Sequence, residues 1–350
     1  MAGPAAGGVA GPAAGRRTGS FGVVAMAMAT VTMLSACGAT HPMSTGPSGF
    51  ASERVVQVAA AENFWGSIAA QLGGAHAHVM SIITNPNTDP HAYEPTAADA
   101  RTLAQAQFVV ENGIGYDPWV QRLLAADPGK AATLDVGTLL GVAVGGNPHR
   151  WYNPADVQTV IRQMVADYQR IDPADRSYFA RQEIAFDTVS LEKYSETLSS
   201  IRARYAGTPV GASESIFAML APALGLDLIT PPTALTAISE GSDLSVRDKE
   251  TIDNQIRNHQ IRVYVYNSQN VTTDVQSQLA EVKAVHIPFV AITETLRPAS
   301  ATYQAWQTKQ LLDIQAALAR ANPSNPSNPS NPSNPSNPSN PSNPSNVTNG

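Results

Sequence analysis

Residues 174–205 contain neither glycine nor proline, and on both sides of that run short apolar segments alternate with segments of helical period. No other feature narrows the fold as far. Asp172 and Pro173 supply a cap and a first-turn proline, and Gly207 supplies a stop. Unbroken, the run makes a helix about 48 Å long at 1.5 Å per residue, enough to join two lobes. A bend near Phe186, giving two helices, is the other reading.

Upstream of the run, residues 55–59, 79–84 and 108–111 read as strands, and 63–72, 97–106 and 116–126 as helices. A further helix is expected over 155–168. Downstream, 208–212, 261–266 and 288–292 read as strands, with helices over 215–224, 246–259, 273–284 and 301–320. Strands that alternate with helices belong to parallel sheets covered by helices. The expected architecture is α/β, with an N-terminal lobe over residues 54–171, a linking helix over 172–206 and a C-terminal lobe over 207–321.

The ends of the chain read differently. Arg16 and Arg17 precede an apolar run over residues 21–33 that is too short to span a bilayer, and Leu34-Ser35-Ala36-Cys37 follows. This is the pattern of an export signal over residues 1–36. Its arginine pair lacks the rest of a twin-arginine pattern, so the export route stays open. Cys37 is the single cysteine of the chain, which excludes an internal disulfide. Residues 37–53 are small and polar, as in a flexible tether. Residues 322–350 are dominated by an Asn-Pro-Ser repeat whose recurrent proline forbids helix and interior strand, so a disordered tail is expected. With 14% charged residues, 43% hydrophobic residues and a net charge of -6, nothing in the chain reads as a nucleic-acid binder.

In parallel sheets, ligands bind beyond the carboxyl ends of the strands. Four polar groups fall there. His91 lies in the proline-bounded turn TDPHAYEP after a strand, and His149 in a second such turn, NPHRWYNP, before a helix. Glu214 and Glu294 follow two strands of the second half. Two neutral imidazoles and two carboxylates form a transition-metal ligand set that cancels a divalent charge. Each residue also has an ordinary use: the histidines as solvated turn groups, Glu214 near a helix start, Glu294 as a loop acid. Of the other histidines, His76 and His78 read as solvated, His259 as a helix C-terminal cap and His286 as packing.

LSAC directly after the apolar run resembles the lipid-attachment box of bacterial lipoproteins, which implies that Cys37 takes a diacylglycerol and becomes the new N-terminus. TDPHAYEPT, NPHRWYNP, GYDPWV, the long helix and TETLRP together resemble the metal-binding solute receptors of bacterial zinc and manganese ABC importers, over roughly residues 55–320. That resemblance implies two α/β lobes joined by one long rigid helix, with one metal in the cleft. It further implies His91, His149, Glu214 and Glu294 as ligands, with Asp243 or Glu240 as fallbacks for the fourth. The implied protein is a monomer on the extracytoplasmic face of the membrane, anchored by lipid, that passes Mn²⁺ or Zn²⁺ to a permease with its ATPase.

Two departures from the family pattern bear on the metal. Residues 139–146 (LLGVAVGG) stand where zinc receptors often carry a histidine-rich acidic loop, and Asn153 stands where an aspartate is usual. Asn153 is expected to support or cap rather than ligate. A metallohydrolase would need an open coordination position and a general base, and HExxH and GxSxG are both missing. The other alternative is a surface adhesion lipoprotein with a structural metal.

Overall fold

The computed structural model describes residues 55–88 and 93–322. The expected leader, the tether with Cys37, the turn histidine His91 and residues 323–350 of the tail lie outside the described residues.

Strands β1 (Val56–Glu62), β2 (Ala77–Ile83), β3 (Phe108–Glu111) and β4 (Ala132–Asp135) form a parallel sheet in the order β2-β1-β3-β4. Central β1 is buried on both faces from Val58 to Glu62, which is why it reads as a continuous apolar run rather than an alternation. Around it lie α1 (Asn63–Gly73), α2 (Ala97–Gln105), α3 (Pro118–Ala126), α4 (Val136–Leu140) and α5 (Pro154–Ile171). Their starts follow the residue chemistry. Thr96 and Asp99 close a capping box on α2, and the Asn153 side chain accepts from Ala155 and Asp156 to begin α5 behind Pro154. Asn153 is thus a cap.

The glycine-free run is helical but not uniform. Helix α6 (Arg176–Ala185) passes through a π turn, Phe186–Ser190, into α7 (Glu192–Tyr205), with Leu191 N–H donating to the Phe186 carbonyl at 2.9 Å. The interruption falls where a bend was one of two expectations, yet the backbone stays helical through it. Asp172 ends α5 without any side-chain capping bond, contrary to its expected role. Helix α6 packs on α1 and α5 of the first lobe, and α7 on α8 (Ile216–Leu224) and α12 (Tyr303–Ala321) of the second.

The second sheet repeats the topology of the first. Strands β5 (Pro209–Ala212), β6 (Asp227–Leu228), β7 (Val263–Asn267) and β8 (Phe289–Ile292) are parallel in the order β6-β5-β7-β8. Helices α9 (Pro232–Ser239), α10 (Val246–Arg257) and α11 (Thr273–Ala284) complete the lobe. Helix α12 returns to the first lobe, where Tyr303 N–H donates to Ser67 Oγ at 2.9 Å and Tyr303 OH to the Trp151 carbonyl at 2.7 Å. The lobes are therefore joined twice, and one apolar core runs through both. Within it the Phe64 and Trp151 rings stack at 3.9 Å.

Candidate metal centre

His149, Glu214 and Glu294 converge between the lobes, each offering a ligand atom within 4.8 Å of the others. All three are buried, at 0%, 1% and 2% exposure. Three of the four sequence candidates therefore meet, and the fourth, His91, lies outside the described residues.

His149 is placed by its turn. Asn147 Oδ1 accepts both the His149 backbone N–H and Nδ1, each at 3.0 Å. An amide oxygen only accepts, so Nδ1 is the donor in this contact and Nε2 is the ring nitrogen that could coordinate a metal. The turn is pinned in its place. Asn112, just past β3, accepts from Trp65 Nε1 and donates to the Pro148 carbonyl, both at 3.0 Å. Asn147 Nδ2 reaches across to the Ser215 carbonyl at 2.7 Å, and Ser215 Oγ lies 3.3 Å from His149 Nδ1.

The two glutamates share a spacer. Asn267, the last residue of β7, donates from Nδ2 to Glu214 Oε1 at 2.7 Å and to Glu294 Oε1 at 2.6 Å. Their other oxygens are also engaged: Asn270 Nδ2 donates to Glu214 Oε2 at 2.8 Å, and Tyr116 OH to Glu294 Oε2 at 2.7 Å. Glu214 does not cap α8, whose start has no side-chain capping bond. The backbone around Glu294 is fixed from both lobes. Tyr152 OH donates to the Thr293 carbonyl at 2.7 Å, and Trp306 Nε1 to Thr293 Oγ1 at 2.8 Å. Tyr116 and Tyr152 are held well above the usual phenol range, first by burial and in both cases also by Glu294 nearby, so both remain neutral donors.

Asn267, Asn270 and Tyr116 carry roles that sequence reasoning did not assign. Tyr116 stood in the GYDPWV motif, and Asn267 closes a strand beside two acid-bearing strand ends. The fallback ligands Glu240 and Asp243 are exposed and are not part of the cluster. Glu240 instead borders a cavity of about 240 Å³ beside the site, with Tyr116, Asn147, Pro148, Ser215 and Ser239.

The remaining histidines include two corrections. His76 is 9% exposed, not solvated, because Tyr178 from α6 lies on its ring at 4.0 Å. His286 is exposed rather than packed, and takes a left-handed backbone at φ 57° just after α11.

The profile of the ZnuA family, "zinc-uptake complex component A periplasmic", matches residues 58–317. The chain belongs to this family. Its members are metal-binding solute receptors outside the cytoplasm, not enzymes. A putative metal-binding protein of Treponema pallidum is 24% identical over 180 residues, covering 45% of this chain and 55% of that protein. The chain thus spans about half the length of that relative. The manganese-binding lipoprotein MntA of Bacillus subtilis is 22% identical over 258 residues, 71% of this chain and 80% of MntA. Among solved structures, the periplasmic zinc binding protein TroA of Treponema pallidum superposes with a TM-score of 0.63 at 15% identity, over 75% of this chain and 99% of TroA. That likeness concerns the fold.

Proposed function

We propose that this ZnuA-family chain is an extracytoplasmic receptor that captures one divalent transition metal as cargo through His91, His149, Glu214 and Glu294. It delivers the ion to an ABC permease with its ATPase, while Cys37 anchors the mature chain to the membrane. The observation that carries this reading is the buried meeting of one imidazole and two carboxylates between the lobes. Buried charge is costly unless paired, and two carboxylates facing each other repel. A divalent cation offsets both terms. The cation also ties the His149 turn of one lobe to Glu214 and Glu294 of the other, so loading is reported as stiffening across the cleft.

The donor set favours a harder ion than a histidine-rich site would. Affinity for nitrogen and oxygen donors is intrinsically higher for zinc than for manganese, so selection rests on geometry. Two monodentate carboxylates with two imidazoles make the tetrahedron zinc prefers, whereas a bidentate carboxylate raises the coordination number toward what suits manganese. Asn267 and Tyr116 hold the glutamate oxygens in place, and the relatives include a manganese-binding and a zinc binding protein. Both Mn²⁺ and Zn²⁺ bind on this reading, with manganese at coordination above four.

Titration calorimetry of the metal-free protein with each ion tests it. One ion is expected in the cleft, and its tight binding is lost in His91→Ala and His149→Ala. Retained stoichiometric Mn²⁺ binding in both variants, or no loss of one zinc ion from either, would overturn the site. Mass spectrometry of the mature N-terminus tests the anchor, and an unmodified Cys37 removes it.

A further inference from the structure

The expected cap Asp172 leaves a question that the cleft does not answer. Its carboxylate caps nothing, is only 6% exposed, and its buried Oδ2 has no hydrogen-bond partner. An unpartnered carboxylate oxygen in such a place costs free energy unless something neutralises it. What faces it is His76, from the turn between α1 and β2, and Asp175, from the turn between α5 and α6. One ring nitrogen and one oxygen from each aspartate lie within 4.8 Å of one another.

We propose that His76, Asp172 and Asp175 form a second divalent-cation site, at the edge of the first sheet opposite the cleft. His76 directly precedes β2, so it sits at the amino ends of the parallel strands, whereas the cleft is built at their carboxyl ends. One imidazole nitrogen and two carboxylate oxygens suit a borderline ion of the zinc type, and the two negative charges balance it. His76 Nδ1 and Asp175 Oδ2 are 2.8 Å apart. Two ligands held at tetrahedral angles on one zinc ion are about 3.3 Å apart, so binding asks for a movement of about half an ångström. Asp175 can make it, since its side chain is 32% exposed. Water completes the coordination on that open side.

The frame is built without the ion. Gly74 takes φ 51°, which brings the turn against α6, and the Ala75 N–H donates to Tyr178 OH at 2.9 Å. A Cβ on Gly74 would stand 2.1 Å from that hydroxyl, so the close approach requires glycine. The Tyr178 ring then covers His76. An ion here fastens the α1–β2 turn to the head of the linking helix, as a staple rather than as cargo.

Zinc binding to the full mature chain tests the proposal, with the cleft disabled by Glu214→Gln and Glu294→Gln. Equilibrium dialysis should find two zinc ions per wild-type chain and one in the cleft-disabled protein. Adding Asp175→Asn or His76→Gln to that background should weaken the remaining ion by at least about tenfold. Asp175 is partly exposed, so its variant keeps the fold, which circular dichroism melting checks. Zinc should also raise the melting temperature of the cleft-disabled protein, and Asp175→Asn should abolish the rise. The cleft and staple variants are read separately, so failure at one site cannot pass for failure at the other. A cleft-disabled protein that takes up no zinc, or one whose zinc affinity survives both His76→Gln and Asp175→Asn, overturns the second site.

Discussion

The two sheets share one strand order and both end in acidic residues, but they meet the resulting charge in opposite ways. In the first, Glu62 ends β1 and Glu111 ends β3. Burial is the main force on both: it raises Glu62 far above the carboxylate range and Glu111 to about 8, with Asp117 pushing each further. Glu62 keeps its proton against Asp117, which is itself raised to about 6 by burial although the Asn112 and Gly113 N–H groups draw it down. In the second sheet, Glu214 and Glu294 follow β5 and β8, and Asn267, Asn270 and Tyr116 aim donors at their oxygens. The lesson is that topology delivers acids to strand ends and the neighbouring groups decide their use. Where carboxyls press on one another out of water, protons neutralise them. Where amides and a phenol fix the oxygens beside an imidazole, a metal can.

The sharpest way to break this comparison is to neutralise one acid on each side. If His149 and Glu294 are ligands as proposed, Glu294→Gln and His149→Ala should each weaken metal binding in the cleft by at least about a hundredfold, because a ligand is worth more than the supporting contacts around it. Glu62→Gln should change affinity by no more than about threefold, since it replaces a protonated carboxyl with another neutral group. Calorimetry with Mn²⁺ and Zn²⁺ gives both numbers, and an equal loss in Glu62→Gln would erase the distinction.

Asn267 is the next lever, because a single amide holds both carboxylates. Asn267→Ala should cost about 10- to 100-fold in metal affinity, the range for supporting residues around a metal. Tyr116→Phe should cost less, about tenfold, as expected for one buried hydrogen bond. Its interest lies in its origin: Tyr116 belongs to the first lobe and Glu294 to the second, so the loss measures how far closure of the cleft shapes the ligand. Competition with a chelating indicator dye resolves both variants, and a Tyr116→Phe loss exceeding that of Asn267→Ala would reverse the order argued here.

Much of this was legible in the sequence, and the gaps have physical causes. His149 stood out in a proline-bounded turn, and Glu214 and Glu294 because each follows an apolar strand at once. Asn267 did not, since an uncharged amide at a strand end looks like turn chemistry. Strand β4, with the sequence ATLD, and the two-residue β6 are too short and too polar to show a period. His76 was misread because Gly73 and Gly74 announce a solvated loop. The ring that covers it belongs to Tyr178, whose hydroxyl meets the turn 103 residues beyond Ala75. Such burial is tertiary and leaves no local mark.

The smallest effect expected is on stability against pH, and it probes the first sheet alone. Glu111 has an ordinary value of 4.5 and a folded value of about 8. Between those limits the native state holds a proton that the unfolded state has released. Stability therefore falls as pH rises through that window, and Asp117 and Glu62, both raised, act in the same direction. One such group changes the unfolding equilibrium by at most about tenfold per pH unit. Glu111→Gln keeps the side chain neutral at every pH and retains an amide for the Gln121 contact, so it removes that share of the slope. Urea midpoints of the metal-free protein at pH 5, 6, 7 and 8 should decline in the wild type and decline less in Glu111→Gln, with the variant the more stable of the two at pH 8. A wild type that grows more stable from pH 5 to pH 8 would mean that the first-sheet acids are charged in the native state, and the contrast between proton and metal would fall.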